Sequence, residues 1–246
     1  MMFSRLATLG LVAYLIALVL TAPAGLLDAR FAGLSDGRLR LSEARGLLWS
    51  GSGRLDLRAA NGRGLLSEEL RWRLLPARLL QGRIAFELQP EQGQSFVLTA
   101  GWRGLELASA EFALPATALV ALQPKLAPLQ LSGELTLSLK QLTIGRSGWS
   151  GNASLHWRHA GSALTQVSPL GDYVLQMTGE GGSTQVTLLS RQGPLRLEGK
   201  GAMDAGGKLA FLASARIDPE FRAALEPLMR LIAVEHGDGS FELQLG

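Results

Sequence analysis

The side chains able to do chemistry are few, and their spacing suits structure better than catalysis. His156 and His159 stand at i, i+3 in His-Trp-Arg-His, with no nearby carboxylate pair to complete a zinc shell. The chain contains no cysteine, which excludes thiolate metal sites, iron–sulfur clusters, thiol nucleophiles and disulfides together. Glu68-Glu69 offers two carboxylates, but Arg71 and Arg73 follow directly, and the pattern reads as mixed charge on a solvated turn and strand face. Gly171-Asp172-Tyr173 sets an acid beside a phenol without a second acid, as an exposed turn aspartate before a strand would. Ser50 and Ser150 lack both the nucleophile-elbow pattern and an obvious base. Gly51-Ser52-Gly53 is glycine-rich like a phosphate loop, yet no Lys-Ser/Thr follows it and no helix opens after it. The sequence therefore assigns no catalytic, cofactor-binding or metal-binding residue, and the chain is expected not to be an enzyme.

The elements that would position these residues are strands. Apolar and polar residues alternate in Arg38–Leu41, Arg54–Arg58, Arg71–Leu74, Arg83–Gln89 and Glu134–Lys140, and again in Ser154–Arg158, Gln185–Leu188, Leu195–Glu198 and Phe241–Leu245. A period of two is the mark of strands with one buried and one wet face, as in antiparallel sheets. Glycine supplies 30 of 246 residues, well above the usual share of about 7%, so the breaks between strands are turn-rich. The polar face carries Arg38, Arg40, Arg54, Arg58, Arg71, Arg73 and Arg83, which read as a solvated face, with anionic lipid or a partner as the other use for such a face. A formal net charge of only +3 gives no reason to expect a nucleic-acid partner.

Two stretches interrupt the alternation. Pro115–Leu122 is expected to form a short helix before Pro124. Asp218-Pro219-Glu220 reads as an N-cap, first-turn proline and early acid, opening a helix through Phe221, Leu225, Leu228, Met229 and Ile232. Pro227 should limit or kink it. Its apolar stripe is expected to plug an open end of the sheet, with partner binding as the other use for such a stripe.

Ahead of the strands, no charge occurs between Arg5 and Asp28, so Leu6–Leu27 is a 22-residue apolar run. As a helix it would be about 33 Å long, enough to cross a bilayer. Ala22-Pro23-Ala24 imitates a signal-peptidase site, but the proline beside the cut favours an uncleaved anchor. Either way, the remainder leaves the cytoplasm. The expected organisation is a cytoplasmic tip and anchor over residues 1–27 and a periplasmic β domain over residues 28–246.

That domain carries signs of duplication. Leu-Trp-Ser-Gly-Ser-Gly-Arg-Leu at 48–55 resembles Gly-Trp-Ser-Gly-Asn-Ala-Ser-Leu at 148–155. Ala121-Leu122-Gln123-Pro124 resembles Ala224-Leu225-Glu226-Pro227, and Gly133 with Leu135, Leu137 and Leu139 matches Gly239 with Phe241, Leu243 and Leu245. Two repeats, about 30–139 and 140–246, would then join edge to edge in one long sheet. Trp49 and Trp149 open the two copies and are expected to be large buried anchors where a bulge or tight bend requires Gly51 or Gly151, with contact to an exoprotein or partner as the other use for them. The fold class expected is mainly β: a single N-terminal transmembrane helix, then a long curved antiparallel sheet of two similar repeats, capped by one or two short helices.

An apolar start ending near Pro23-Ala24, then GLLWSGSG (46–53), GWSGNASL (148–155), PLGDYVLQ (169–176) and GDGSFELQLG (237–246), taken in that order, resemble the type II secretion system protein N family, and more loosely the AsmA-like superfamily. The resemblance implies a single-pass protein of the bacterial inner membrane with its bulk in the periplasm, serving export of folded proteins across the outer membrane. It implies other inner-membrane or periplasmic secretion components as partners and no catalytic residues. Exposed backbone edges would supply affinity by strand addition. The alternative is an AsmA-like groove that carries or shields lipid on its apolar face.

Overall fold

A computed structural model of the chain describes residues 10–11, 13–15, 17–35, 37, 39–58, 64–91, 93–102, 104–116, 118–119, 124–145, 147–204, 208–235 and 241–245. The chain divides into two compact units, Met1–Glu91 and Gln92–Gly246.

The first unit is an antiparallel meander of β1 (Leu39–Leu47), β2 (Ser50–Arg58), β3 (Gly64–Leu74) and β4 (Ile84–Pro90). Helix α1 (Leu26–Leu34) precedes it, and the four-residue helix α2 (Pro76–Leu79) lies in the β3–β4 connection. Alternation puts Leu41 opposite Leu55 and Trp72 opposite Leu88. These residues, with Ala24, Leu27 and Phe86, form the unit's core.

The second unit contains β5 (Phe96–Gly101), β6 (Gly104–Pro115), β7 (Leu131–Gly145), β8 (Gly148–Ser162) and β9 (Gly171–Gly181), followed by β10 (Thr184–Gln192), β11 (Leu195–Met203) and β12 (Leu209–Ile217). Each pairs antiparallel with the next; β14 (Phe241–Leu245) then pairs with β12, and the two-residue β13 (Val234–Glu235) pairs with β14. A 3-10 turn at Pro219–Phe221 leads into helix α3 (Arg222–Ile232). Leu225, Leu228 and Met229 of α3 are buried with Leu129, Leu170, Leu195, Ala215 and Phe241. Each such aliphatic side chain removed from water contributes roughly 1.5–3 kcal/mol, so the stripe of α3 is held by packing and covers this part of the sheet. It serves as an internal plug and not as a surface for a partner.

Three expectations need correction. The Pro115–Leu122 helix does not start where the prolines suggest: Pro115 is the last residue of β6, opposite Glu134, and the next turn is a 3-10 helix at Pro124–Leu129. Among the described residues in between, Ala118 and Leu119 are helical, and residues 117 and 120–123 lie outside the described residues. Pro227 sits inside α3 without ending it. The predicted 6–27 anchor is not one continuous helix. Residues 10–11, 13–15 and 17–20 are helical, but Thr21 turns, Pro23 bridges to Leu47, and α1 starts anew at Leu26. Pro23 lacks the N–H a continuing helix needs and biases Ala22 toward extended backbone. Residues 1–9, 12 and 16 of the predicted anchor region lie outside the described residues. Among the described residues, no helix is long and apolar enough to cross a membrane.

Candidate functional site

The two Trp-Ser-Gly segments start from the same local rule. In β1, Glu43 has φ 51°, and the β1–β2 register shifts between Ser42 and Arg45. In β7, Gln141 has φ 51°, and the β7–β8 register shifts between Lys140 and Thr143. Each hairpin thus carries a bulge with one left-handed residue on the strand facing its Trp-Ser-Gly strand, which raises the local twist. Gly51 and Gly151 are needed there, since a Cβ at either position would strike the facing backbone, at the Arg45 or Gln141 carbonyl. The glycines of Gly51-Ser52-Gly53 are therefore packing residues within β2 and form no phosphate cradle.

The tryptophans answer differently from what their sequence position suggests. The ring over Gly51 belongs to Trp72, whose Cζ2 would lie 2.7 Å from an added Cβ. Trp72 is buried, and its Nε1–H donates to the Leu48 and Leu47 carbonyls at 3.1 and 3.3 Å. Trp149 lies instead over Gly179 of β9, Trp157 over Gly133 of β7, and Phe211 over Gly199 and Gly201 of β11. An aromatic ring laid on a glycine of the adjacent strand recurs through both units and restores the packing surface glycine lacks. Trp72 was legible in the sequence only as a strand residue, because its partner is fixed by register.

Trp49, half-buried in the β1–β2 turn, donates its Nε1–H to the Val19 carbonyl at 2.8 Å. The same N-terminal segment closes the outer edge of β1. The Leu41 N–H donates to Asp28 Oδ1 at 2.9 Å, and the Leu39 N–H to Ser35 Oγ at 2.9 Å. The Ala24 N–H donates to the Gly46 carbonyl at 3.1 Å, and the Leu48 N–H to the Ala22 carbonyl at 2.8 Å. At these positions of β1 the chain itself takes the place an added strand would occupy.

The remaining singled-out residues have structural tasks. Arg40 makes a two-pronged contact with Asp28 at 2.9 and 2.8 Å, and that carboxylate raises the guanidinium pKa above its ordinary value. Arg54 pairs with Glu43 at 3.1 Å, Arg73 with Glu87 at 2.7 Å, and Arg71 with Glu69 at 3.6 Å. The arginine face is laced by exposed ion pairs, each contributing little by itself. Arg38 and the Arg58 side chain lie outside what is described. Glu68 and Glu69 lie within β3, opposite Leu55 and Arg54, and not in a turn. Ser50 opens β2 opposite Arg73, and Ser150 lies in β8 opposite Glu180. His156 is a regular strand residue, while His159 has φ 47° at a bulge of β8. The His159 N–H donates to Asp172 Oδ1 at 2.7 Å, and Gln192 Nε2 donates to Oδ2 at 2.7 Å. Asp172 is thus a β9 residue that satisfies a bulge. Tyr173 is buried, its hydroxyl 2.8 Å from the Leu195 carbonyl and 3.2 Å from that of Leu170. Burial first, then the Asp172 charge, push the phenol pKa well above its ordinary value.

What is left for partners is surface. The two-residue β5–β6 turn presents Trp102 at 91% exposure, next to Gly104 (φ 131°). Leu105, Ile144 and Trp149 face one another across β6, β7 and β8, with Leu105 42% and Ile144 47% exposed. An exposed tryptophan and exposed aliphatics have the composition of an interface anchor. The sequence reading missed Trp102; its Gly-Trp-Arg-Gly hairpin context was the signal. Two shallow depressions in the first unit are polar, one of 160 Å³ between Glu69, Arg71, Gln89, Pro90 and Glu91, the other of 70 Å³ around Glu43, Arg45, Ser52 and Arg54.

Comparison with known proteins places this surface in context. The profile of the family described as Type II secretion system (T2SS), protein N matches residues 37–244. The chain is 26% identical over 196 residues to "Type II secretion system protein N" of Pectobacterium carotovorum subsp. carotovorum, covering 77% of this chain and 75% of that protein. No solved structure matches. With β strands, bulges and glycine–aromatic pairs running through nearly all of the matched stretch, the chain belongs to the type II secretion system protein N family.

Proposed function

We propose that the protein is a non-catalytic component of a type II secretion system, anchored in the bacterial inner membrane by its N-terminal apolar segment. Its β units lie in the periplasm and hold other secretion components by protein–protein contact. The observation that carries the reading is the family match over 37–244, joined to a chemistry-bearing set whose members are spent on bulges, edges and ion pairs. A protein whose carboxylates and phenol are used this way acts through its surface, and the Trp102, Leu105 and Ile144 strip is the contact we assign to a partner component. The paired bulges at Glu43 and Gln141 support descent of the chain from two copies of one β unit, about 30–139 and 140–246. Lipid carriage receives less support, because α3 fills the apolar side of the sheet around Leu195, Ala215 and Phe241.

Deletion of the gene in a host with a working system should trap exoproteins in the periplasm with the outer membrane intact. Wild-type protein restores export, whereas Trp102→Asp is stable at normal abundance and restores little. Normal secretion with altered envelope permeability after deletion overturns the reading.

A further inference from the structure

We propose that one end of the first unit rests on the phospholipid surface beside the N-terminal apolar segment, with Leu79 and Leu80 inserted among the acyl chains. The inference builds on the anchored reading and goes beyond it, since an anchor alone would let the sheet stand clear of the membrane.

Three hydrogen bonds join the parts. Trp49 Nε1–H donates to the Val19 carbonyl at 2.8 Å, the Leu48 N–H to the Ala22 carbonyl at 2.8 Å, and the Leu74 N–H to the Trp49 carbonyl at 2.7 Å. The β1–β2 tip and the start of the β3–β4 connection are thus tied to the last turn of the helical stretch, without a free linker. Where that turn meets the membrane surface, the connection meets it too. Trp49 then occupies the headgroup level, where indole rings concentrate.

The connection has the composition for this place. From Leu74 to Phe86 the sequence is Leu-Leu-Pro-Ala-Arg-Leu-Leu-Gln-Gly-Arg-Ile-Ala-Phe, with two arginines and no acid. Leu80 is 93% exposed, and Leu79, Ile84 and the neighbouring Leu47 are also exposed. Leucines left this open in water are unfavourable, while at a bilayer the same residues enter the acyl region and Arg78 meets anionic phosphates. Farther along β3 and β4, Glu69, Arg71, Gln89 and Glu91 surround a polar depression. The connection is the acid-free, apolar part of this segment, whereas the strands beyond it pair Arg73 with Glu87 and Arg71 with Glu69, which points the connection, and not the strands, toward anionic lipid.

The absence of cysteine makes the test direct. Leu18→Cys, Leu80→Cys and Glu91→Cys are introduced singly into the full chain, labelled with an environment-sensitive fluorophore and reconstituted in phosphatidylethanolamine–phosphatidylglycerol vesicles with or without nitroxide lipid. Glu91 is the far reference, about 20 Å from Ile84 along β4. The expected result is loss of most emission at 18 and 80 on adding nitroxide lipid, with 91 unaffected. Quenching at 18 with position 80 as wet as 91 overturns the inference and leaves the anchor standing. Quenching at 80 without 18 upholds the lipid seat and removes the anchor, and quenching at neither removes both. In native membranes, an apolar but unquenched environment at 80 means a protein covers it, which also overturns the inference.

Discussion

The β1–β2 and β7–β8 hairpins share a Trp-Ser-Gly tripeptide, a glycine in close backbone contact and a bulge with one residue in left-handed conformation on the facing strand. Their tryptophans nevertheless go to different places. Gly51 is directly opposite Trp72, which covers it, and Trp49 is left to reach the Val19 carbonyl. Gly151 is opposite Gly179, where no side chain competes, and Trp149 lies on that glycine. The local sequence specifies the backbone of the turn, whereas the next strand decides where the ring goes.

Trp72→Ala tests this most severely. It empties a buried site, strips the cover from Gly51 and leaves the Leu47 and Leu48 carbonyls without their indole donor. The expected cost is about 3–5 kcal/mol. In hydrogen-exchange mass spectrometry, peptides of β1, β2 and β3 should lose protection while those of β8 and β9 keep theirs. A cost below about 1 kcal/mol would mean that Trp49 swings over Gly51 as Trp149 covers Gly179, and the two hairpins would then be interchangeable.

Gly179→Ala is the smaller, sharper test. Its Cβ would lie 2.6–2.8 Å from ring atoms of Trp149, so the indole must leave its seat. A cost of roughly 1–3 kcal/mol is expected, because neither the strand nor the ring can yield fully. Combined with Trp149→Ala the two losses should fall short of additivity, since the atoms nearest to the new Cβ leave with the ring. Strict additivity in urea unfolding would show that the ring does not depend on this glycine.

Much of the fold was legible because leucine every second residue is a physical requirement of a one-sided sheet, as at Leu55-Asp56-Leu57 and Leu135-Thr136-Leu137. Strands β6 and β12 were missed because their apolar residues do not keep to one face: β6 changes from Leu105 and Leu107 to Ala108, Ala110 and Phe112, and in β12 Ala210 and Leu212 alternate with Phe211 and Ala213, which blurs the period. Helix α1 was hidden because Leu26 and Leu27 read as the end of the apolar run when they open a new element after Pro23. The start of α3 was written locally in Asp218-Pro219-Glu220, although Asp218 contributes its backbone carbonyl to Phe221 and an ion pair to Arg196 and makes no side-chain cap. The closed β1 edge and the glycine–aromatic pairs depend on register between distant segments, which no local pattern carries.

The second unit has a pH-dependent element at Tyr173. The chain contains two tyrosines, and Tyr173 is the one buried in the second unit, with its ring centroid 5.8 Å from that of Trp157. Its pKa is raised in the folded state by burial and by Asp172. An unfolded tyrosine releases its proton near pH 10, so above that pH the folded state binds more protons than the unfolded one and stability falls. The contribution is fully present below about pH 10 and is lost as pH rises toward the folded value, at up to about 1.4 kcal/mol per pH unit. Tyr173→Phe should remove this slope from the second unit while costing about 1 kcal/mol at neutral pH for the lost hydroxyl contact. Pulse proteolysis in urea at pH 9 to 11, read from fragments of each unit, checks it: the second unit should weaken more than the first in the wild type. An equal slope in the Tyr173→Phe protein would place the titrating group elsewhere and remove this contrast between the units.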